Sequence, residues 1–118
     1  MDRTADEHPG HHVARLRFPD DPEMAALAEM FLEQLEIRIR ELRDACRRGD
    51  LDTIRFGTHQ LRGAAGGYGF PEIGLAAGEI EDLLRRGAND GDPGDPGDPE
   101  IARRLEGLES VYRSISAA

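Results

Sequence analysis

Residues 21–49, DPEMAALAEMFLEQLEIRIRELRDACRRG, carry the strongest structural signal in the chain. Asp21 and Pro22 are typical of a helix N-terminus, because aspartate caps free N–H groups and proline suits the first helical position. Apolar residues then recur in steps of three and four, at Met24, Ala28, Phe31, Leu35, Ile39, Leu42 and Cys46. This spacing indicates an amphipathic helix, which Gly49 is expected to end. The stretch therefore predicts a helix over about residues 22–48, roughly 40 Å long.

Three more helices are predicted after this one. The second, which Asp50 can cap, carries an apolar stripe at Leu51, Ile54, Thr58, Leu61, Ala65 and Tyr68. The third runs from Pro71 to about Arg86, where Gly87 is expected to end it, and the fourth begins near Pro99. No strand pattern occurs in the sequence. The chain is therefore predicted to be all-α, with an antiparallel up-down-up-down four-helix bundle over residues 21–118.

Two segments outside these helices are predicted to be flexible. Residues 87–99, GANDGDPGDPGDP, form a low-complexity stretch without a basic residue, and we expect a mobile acidic loop there. Residues 1–20 are expected to form a flexible N-terminal segment, which begins with a polar tail over residues 1–12. Within it, the weak alternation of residues 13–19, VARLRFP, favours an extended course over an edge of the core.

The composition excludes several classes of function. The chain has 118 residues, 38 % of them apolar, which suits a single domain. Its formal net charge of −9 disfavours binding to nucleic acid, and no apolar run approaches the roughly 18 residues of a membrane span. The first residues lack the apolar core of a secretory signal, and the single Cys46 permits no internal disulfide. We therefore expect a cytoplasmic protein that binds neither nucleic acid nor membrane.

The segment Thr58–Gly66, THQLRGAAG, places a titratable group on the second helix. At about 100° per residue, His59 lies roughly 130° from the centre of the apolar stripe and should face solvent. Arg62 and Gly63 follow at i+3 and i+4, so both neighbour His59 on the helix surface. Gly63 costs a helix about 1 kcal/mol relative to alanine. Either it leaves space around the imidazole for a bulky group, or it begins the end of the helix.

Metal sites and hydrolytic sites are not predicted. His8, His11 and His12 lie in the polar tail, and the aspartates of the Gly-Asp-Pro repeat lack the spaced ligands of a calcium loop. A di-iron bundle needs histidines on two helices, whereas only one predicted helix carries one. No serine lies in a nucleophile elbow. We therefore expect no metal and no cofactor on this chain.

Residues His59 to Gly63, HQLRG, resemble the His-x-Leu-Lys-Gly signature of histidine-containing phosphotransfer (HPt) domains. The resemblance extends from about Asp21 to Ala118, with the signature on the second helix of the predicted bundle. It implies that His59 accepts a phosphoryl group, for which a neutral imidazole is a suitable nucleophile. It also implies that Arg62, where the family usually has lysine, stabilises that group, and that Gly63 leaves steric access to it.

The resemblance further implies a partner for the imidazole on the third helix. Many family members place a glutamine, and chemotaxis-kinase versions a glutamate, where this chain has Glu81. Glu81 would hydrogen-bond one ring nitrogen and make the other more nucleophilic. The alternative is that Glu81 only forms an exposed ion pair with Arg85 at i+4. Gly74 and Gly78, one turn apart, would let the second and third helices approach closely.

A docking face for another protein is predicted on the outer side of the second helix. Phe56, Gln60 and Gly67 recur there with Gly63 at helical spacing, close to His59. An exposed phenylalanine beside small residues is typical of an interaction patch. In an equally open alternative, Phe56 tucks against the first helix or the N-terminal segment.

The resemblance therefore implies a phosphorelay carrier of two-component signal transduction. His59 would carry a phosphoryl group to or from the aspartate of a response-regulator receiver domain, with a histidine or hybrid kinase as the other partner. The carrier would have no kinase activity of its own, and Mg²⁺ would be needed only on the receiver. We expect a monomer. Two alternatives stay open: a helical docking module that carries no phosphate, and a domain that a kinase phosphorylates in trans, in the chemotaxis style.

Overall fold

The computed structural model describes residues 10–89 and 99–117 as a set of helices. The helices are α1 (Gly10–Arg17), α2 (Pro22–Arg48), α3 (Leu51–Ala64), α4 (Pro71–Asn89) and α5 (Pro99–Ser116). A 3-10 turn, Ala65–Tyr68, follows α3 directly. No strand occurs within the described ranges, and the predicted all-α class is confirmed.

Both ends of α2 and the start of α3 are capped by the predicted residues. The Asp21 side chain accepts a hydrogen bond from the Met24 N–H at 3.1 Å, and Pro22 takes the first helical position. Gly49 ends α2 with a φ of 74°, a left-handed conformation that glycine adopts without strain. Asp50 caps α3 in the same way as Asp21 caps α2. Because the connection is so short, α2 and α3 run antiparallel.

The four long helices, α2 to α5, form a bundle around one apolar core. Each packs against the next along the chain, and α2 also packs against α5, which closes the bundle. The largest fully buried apolar side chains come from all four helices and from the α3–α4 connection: Leu32, Leu35, Ile54, Leu61, Phe70, Ile73, Ile80, Ile101, Leu105 and Leu108. This arrangement is the bundle that the sequence predicts.

The buried face of α2 differs slightly from the predicted stripe. The buried residues of this helix are Ala25, Ala28, Leu32, Leu35, Ile39, Leu42 and Ala45. Met24, Phe31 and Cys46, three members of the predicted stripe, are only half-buried. Each lies one position from a smaller or equally apolar residue that takes the core position, because the apolar face is wider than the step of about 100° between neighbours. Cys46 therefore borders the core.

The expectation of an extended course for residues 13–19 is wrong, because Gly10–Arg17 form helix α1. Val13 and Ala14 are buried in the core, and α1 packs against α2 and α5. Residues 13, 14, 17 and 18 share one face of a helix. Strict alternation would instead have placed Leu16 beside Ala14, whereas 62 % of Leu16 is exposed.

Arg17 ties α1 to the connection between α3 and α4. Its guanidinium donates to the Gly69 carbonyl at 2.6 Å and to the two Glu72 carboxylate oxygens at 3.0 and 2.8 Å. It also lies 4.9 Å from the centroid of the Phe70 ring. Gly69 has a φ of 90°, and a Cβ there would lie 2.6 Å from the Phe18 ring. The connection therefore requires glycine at this position and is braced from the N-terminal side.

The bounds of α3 and α4 differ from the predicted ones. The α-helical part of α3 ends at Ala64, and the next four residues tighten into the 3-10 turn. Helix α4 continues past Gly87 to Asn89, so the glycine does not end it. A helical glycine costs only about 1 kcal/mol relative to alanine, which is too little by itself to end a helix.

Parts of two predictions fall beyond the described residues. Residues 1–9 of the predicted polar tail and residues 90–98 of the predicted mobile loop lie there. Of the described helices, none has the length and apolar character that a membrane span requires.

Candidate functional site

Helix α3 presents His59 to solvent. Ile54, Thr58 and Leu61 bury the opposite side of the helix, and the buried Thr58 hydroxyl donates to the Ile54 carbonyl at 2.8 Å. The His59 side chain lies off this face with 68 % of its surface exposed, as the helical spacing predicts. The packed face of α3 therefore holds the backbone of His59 while the ring stays accessible.

Glu81 on α4 holds one nitrogen of the His59 ring. Its Oε2 lies 2.7 Å from His59 Nδ1, and only 3 % of the Glu81 side chain is exposed. Burial raises the pKa of Glu81, but hydrogen bonds from His59 and Arg62 and the charges of His59 and Arg85 outweigh burial and lower that pKa overall. The group is therefore a carboxylate at neutral pH and can only accept, so Nδ1 carries a proton. In the neutral ring the lone pair is then on Nε2.

Glu81 makes both of the contacts that the sequence offers as alternatives, but its carboxylate is buried, so its ion pair with Arg85 is not the exposed one expected. Besides the bond from His59, Oε2 accepts a hydrogen bond from Arg85 Nη2 at 2.7 Å, which is the predicted i+4 ion pair. Oε1 accepts from Arg62 Nη1 at 3.2 Å. A buried carboxylate is tolerated only when charged or polar donors surround it. Glu81 has three such donors, and the imidazole is one of them.

Arg62 joins α3 to two carboxylates of α4. Its Nη1 donates to Asp82 Oδ1 at 2.9 Å as well as to Glu81. The hydrogen bond to Asp82 is the main cause that raises the pKa of Arg62, followed by the bond to Glu81. The side chain of Arg62 is about half exposed, at 47 %. A permanent cation therefore lies one turn along α3 from His59, in contact with the carboxylate that holds the ring.

The glycines of the site fall into two groups. A Cβ at Gly63 would meet no atom within 4 Å, so packing does not demand glycine there, and the space beside His59 stays open. A Cβ at Gly74 would lie 3.4 Å from the Arg62 carbonyl, and one at Gly78 would lie 3.1 Å from Arg62 Nε. Helices α3 and α4, the second and third of the predicted helices, thus approach closely at Gly74 and Gly78, as predicted.

Phe56 is exposed over 65 % of its surface and does not tuck into the bundle. It lines a groove of about 290 Å³ between α2 and α3, together with Gln60, Leu42 and other residues of both helices. Gly67 is also exposed, but it lies in the 3-10 turn beyond the end of α3 and does not line this groove. The structure thus brings Phe56 and Gln60 together and leaves Gly67 apart from them.

Asp82 is the residue of this cluster that sequence reasoning missed. It follows Glu81 directly, and its carboxylate reaches the same Arg62 nitrogen. The sequence does show two adjacent acidic residues on the helix that follows the His59 segment. The register between α3 and α4 brings both of them to Arg62, and that register depends on contacts at Gly74 and Gly78.

The charged groups around His59 neutralise one another. Glu81 and Asp82 supply two negative charges, and Arg62 and Arg85 supply two positive ones. Within residues 10–89 and 99–117, no group of three or more His, Cys, Asp or Glu side chains is arranged to hold a metal ion. The described site is therefore an exposed imidazole held in a network of side-chain ion pairs.

Comparison with known proteins identifies the family. A family model described as Hpt domain matches residues 26–111, which includes α3, α4 and most of α2 and α5. The chain therefore belongs to the Hpt domain family, and this membership implies histidine phosphotransfer in two-component phosphorelays. Hpt domains are phosphocarrier modules that interact with receiver domains and kinases, and they are not kinases themselves. Among curated proteins and among solved structures, no match to this chain is found.

Proposed function

We propose that this chain is a phosphorelay intermediate that carries a phosphoryl group on His59 to or from the aspartate of a receiver domain. The observation that carries the proposal is the 2.7 Å hydrogen bond between His59 Nδ1 and the buried Glu81, on a ring that is otherwise exposed. With a proton on Nδ1, the lone pair on Nε2 is the proposed nucleophile. Membership of the Hpt family supplies the class of reaction.

In the loading step, the aspartyl phosphate of the receiver is the donor. Its P–O bond breaks, the aspartate leaves with the electron pair as a carboxylate, and a P–N bond forms at His59 Nε2. The ring keeps its Nδ1 proton and becomes positively charged, and the Glu81 carboxylate stabilises that charge, as the orienting acid of a catalytic triad does. Return of the phosphoryl group to a receiver reverses each of these bond changes.

Arg62 and Gly63 are proposed to serve the phosphoryl group directly. Arg62 brings a permanent charge and several N–H donors, which suit phosphate oxygens and permit a two-point contact. Gly63 lies beside His59 in open space, so that no side chain blocks the group or the partner that delivers it. Arginine in place of the usual lysine keeps the charge and changes the geometry of the contact.

The chemistry is completed by partners. We propose a receiver domain as one partner and a histidine or hybrid kinase as the other, with Mg²⁺ bound by the receiver, where it neutralises the phosphoryl oxygens. The chain itself acts as a carrier without kinase activity, as a monomer in the cytoplasm. The exposed Phe56 and its groove with Gln60 are the proposed docking face, and Gly67, which does not line this groove, is not part of it.

Incubation with a phosphorylated receiver domain, or with phosphoramidate, tests the proposal. We expect the wild-type chain to gain a phosphate that is labile in acid and stable in base, and His59→Gln to gain none. His12→Gln is the matched control, because it removes a different exposed histidine and should keep the label.

Three results would contradict this function or change it. Label that persists in His59→Gln would mean that another histidine accepts the group. Label that comes from a kinase and ATP, and from no receiver, would favour a domain phosphorylated in trans. If neither donor labels the chain while receiver binding is retained, the chain is a docking module that carries no phosphate.

A further inference from the structure

The proposed function makes no use of the ion pair between Arg62 and Asp82. Asp82 Oδ1 lies 2.9 Å from Arg62 Nη1, closer than the 3.2 Å between that nitrogen and Glu81 Oε1. Both partners are about half exposed, at 47 % for Arg62 and 46 % for Asp82. The shorter hydrogen bond of Arg62 is therefore made to a carboxylate that does not touch His59.

The backbone of α4 shapes the place that Arg62 occupies. The Arg62 side chain lies over Gly78, where a Cβ would be 3.1 Å from Nε, 3.3 Å from Cδ and 3.4 Å from Cζ. Glycine at this position lets the guanidinium lie close to α4, between Asp82 and Glu81. In the unphosphorylated protein Arg62 is thus held at its tip by Asp82 and supported along its length by Gly78.

A phosphoryl group on His59 would compete for the same guanidinium. It adds negative charge and strong acceptor oxygens beside Arg62, which is three residues further along α3 and therefore a neighbour on the helix surface. Charge-assisted contacts from arginine to phosphate are strong and directional. Arg62 cannot move fully onto the phosphoryl oxygens while its Nη1 donates to Asp82 and Glu81.

We propose that Asp82 is a positioning residue that holds Arg62 in a resting place and so lowers the equilibrium stability of the phosphorylated histidine. Phosphorylation moves Arg62 from Asp82 to the phosphoryl oxygens, and loss of the group returns it. Asp82 thereby favours release of the group to a receiver. This role rests on the proposed function of His59.

The exposure of Arg62 and Asp82 determines how much their ion pair can change the stability of the phosphorylated histidine. Ion pairs between half-exposed side chains contribute little, because water and salt screen them. We therefore expect Asp82→Asn to raise the equilibrium ratio of phosphorylated to unphosphorylated His59 by about two- to fivefold, as a pair of this strength implies. A change of this size matters for a carrier, which must both accept and release the group.

Exchange with phosphoramidate at fixed donor and ammonia concentrations measures this ratio, with phosphohistidine quantified by ³¹P NMR. The P–N bond of phosphoramidate breaks, ammonia leaves with the electron pair, and a P–N bond forms at His59 Nε2. Asp82→Glu, which keeps the carboxylate, should stay near the wild-type ratio. Asp52→Asn is the matched control, since it removes one exposed carboxylate from an Arg pair on α3 and should change the ratio by less than Asp82→Asn.

A double-mutant cycle separates the proposed role from simple charge repulsion between Asp82 and the phosphoryl group. In an Arg62→Gln background no guanidinium can be held, so Asp82→Asn should no longer raise the ratio. A gain that persists in that background would overturn the proposal, as would an unchanged ratio in Asp82→Asn or an equal gain in Asp82→Glu. A wild-type chain that takes no label at all would instead overturn the proposed function, and this role with it.

Discussion

Two glutamates of this bundle are bridged by arginines in the same pattern, and only one of them holds a histidine. Each accepts from an arginine on a neighbouring helix and from one at i+4 on its own helix. The bridging arginines are Arg62 and Arg85 for Glu81, and Arg43 and Arg113 for Glu109. The Glu81 side chain is 3 % exposed, whereas that of Glu109 is 23 % exposed.

This difference shows that ion pairs between helices are not sufficient to form a functional site. Other pairs between helices, such as Arg17 with Glu72 and Arg104 with Glu79, are partly exposed to water, where ion pairs contribute little. At Glu81 two further conditions are met. The carboxylate is buried, so its hydrogen bonds are fixed in direction, and one donor is an imidazole whose other nitrogen faces solvent.

The largest expected effect on the rate of phosphotransfer comes from removal of Glu81, and removal of Glu109 is the comparison. Glu81→Ala should slow phosphotransfer to His59 by about 10- to 100-fold, the range seen when a functional histidine loses the group that orients it. Glu109→Ala should leave the rate within about twofold, because its two arginines are exposed enough to be rehydrated. Initial rates of labelling from phosphoramidate and from a phosphorylated receiver measure both.

Circular dichroism and thermal unfolding show whether both variants fold. Glu81→Gln adds a second comparison, since an amide oxygen still accepts a hydrogen bond from the Nδ1–H group while the charge is lost. Its transfer rate should lie between those of wild type and Glu81→Ala. Equal transfer rates for Glu81→Ala and Glu109→Ala would mean that the Glu81 ion pairs have no functional role that the Glu109 ion pairs lack.

A second prediction compares two glycines whose Cβ would meet open space, Gly63 on α3 and Gly107 on α5. Alanine at either position should stabilise the fold by up to about 1 kcal/mol, because alanine is the better helix former. Only Gly63→Ala should reduce phosphotransfer, by about tenfold, because a methyl group beside His59 displaces the reacting partners from their best geometry. Denaturant unfolding and transfer rates, measured on the same samples, test the separation.

If Gly63→Ala transfers as fast as Gly107→Ala, then Gly63 belongs to the end of the helix and not to the access path. That result would return Gly63 to the second of the two interpretations that the sequence leaves open.

The fold and the site differ in how far the sequence predicts them. The spacing of apolar residues and the caps at Asp21 and Asp50 predict α2 and the start of α3, because these signals are local. The exposure of His59 follows from the same spacing. The contact of Asp82 with Arg62 could not be predicted, since it depends on how closely two helices pack at Gly78.

Helix α1 shows a second limit of the sequence signal. In a segment of eight residues, alternation and helical spacing select overlapping sets of positions, so the pattern alone does not decide between them. The deciding interactions come from distant residues, such as the bonds of Arg17 to Glu72 and to the Gly69 carbonyl. Local periodicity contains no information about such partners.

A third prediction compares exposed apolar residues on neighbouring helices, Phe56 on α3 and Ile37 on α2, which are 65 % and 53 % exposed. Alanine at either position should change the free energy of unfolding by no more than about 0.5 kcal/mol, because little buried contact is lost. Phe56→Ala should weaken receiver binding by about five- to tenfold, as loss of an aromatic anchor does. Ile37→Ala should bind as wild type, and calorimetric titration with a receiver domain measures both. A reversed order would move the docking face from α3 to α2.

The smallest expected effect is the acid dependence that Glu81 gives to stability. Hydrogen bonds and nearby cations hold the pKa of Glu81 below its ordinary value of 4.5 despite burial. A carboxyl whose pKa is lower in the folded state contributes stability that is complete above its unfolded value and is lost as the pH falls through its folded value. The effect is modest, because Arg62 and Arg85 are about half exposed. When Glu81 is protonated, water replaces part of their interaction with its charge.

Glu81→Gln isolates this contribution, because an amide does not titrate. Asp50, Glu72 and Glu100 also have lowered pKa values, but their contributions are common to both proteins and cancel in the difference. The free energy of unfolding of wild type minus that of Glu81→Gln should therefore be constant near neutral pH and decrease as the pH falls below about 4.5. Urea unfolding at a series of pH values measures it. A difference that stays constant into acid would mean that folding does not favour the ionised form of Glu81. The carboxylate would then be no firmer an anchor for the imidazole than an amide, and the buried bridge would differ from the one at Glu109 in position alone.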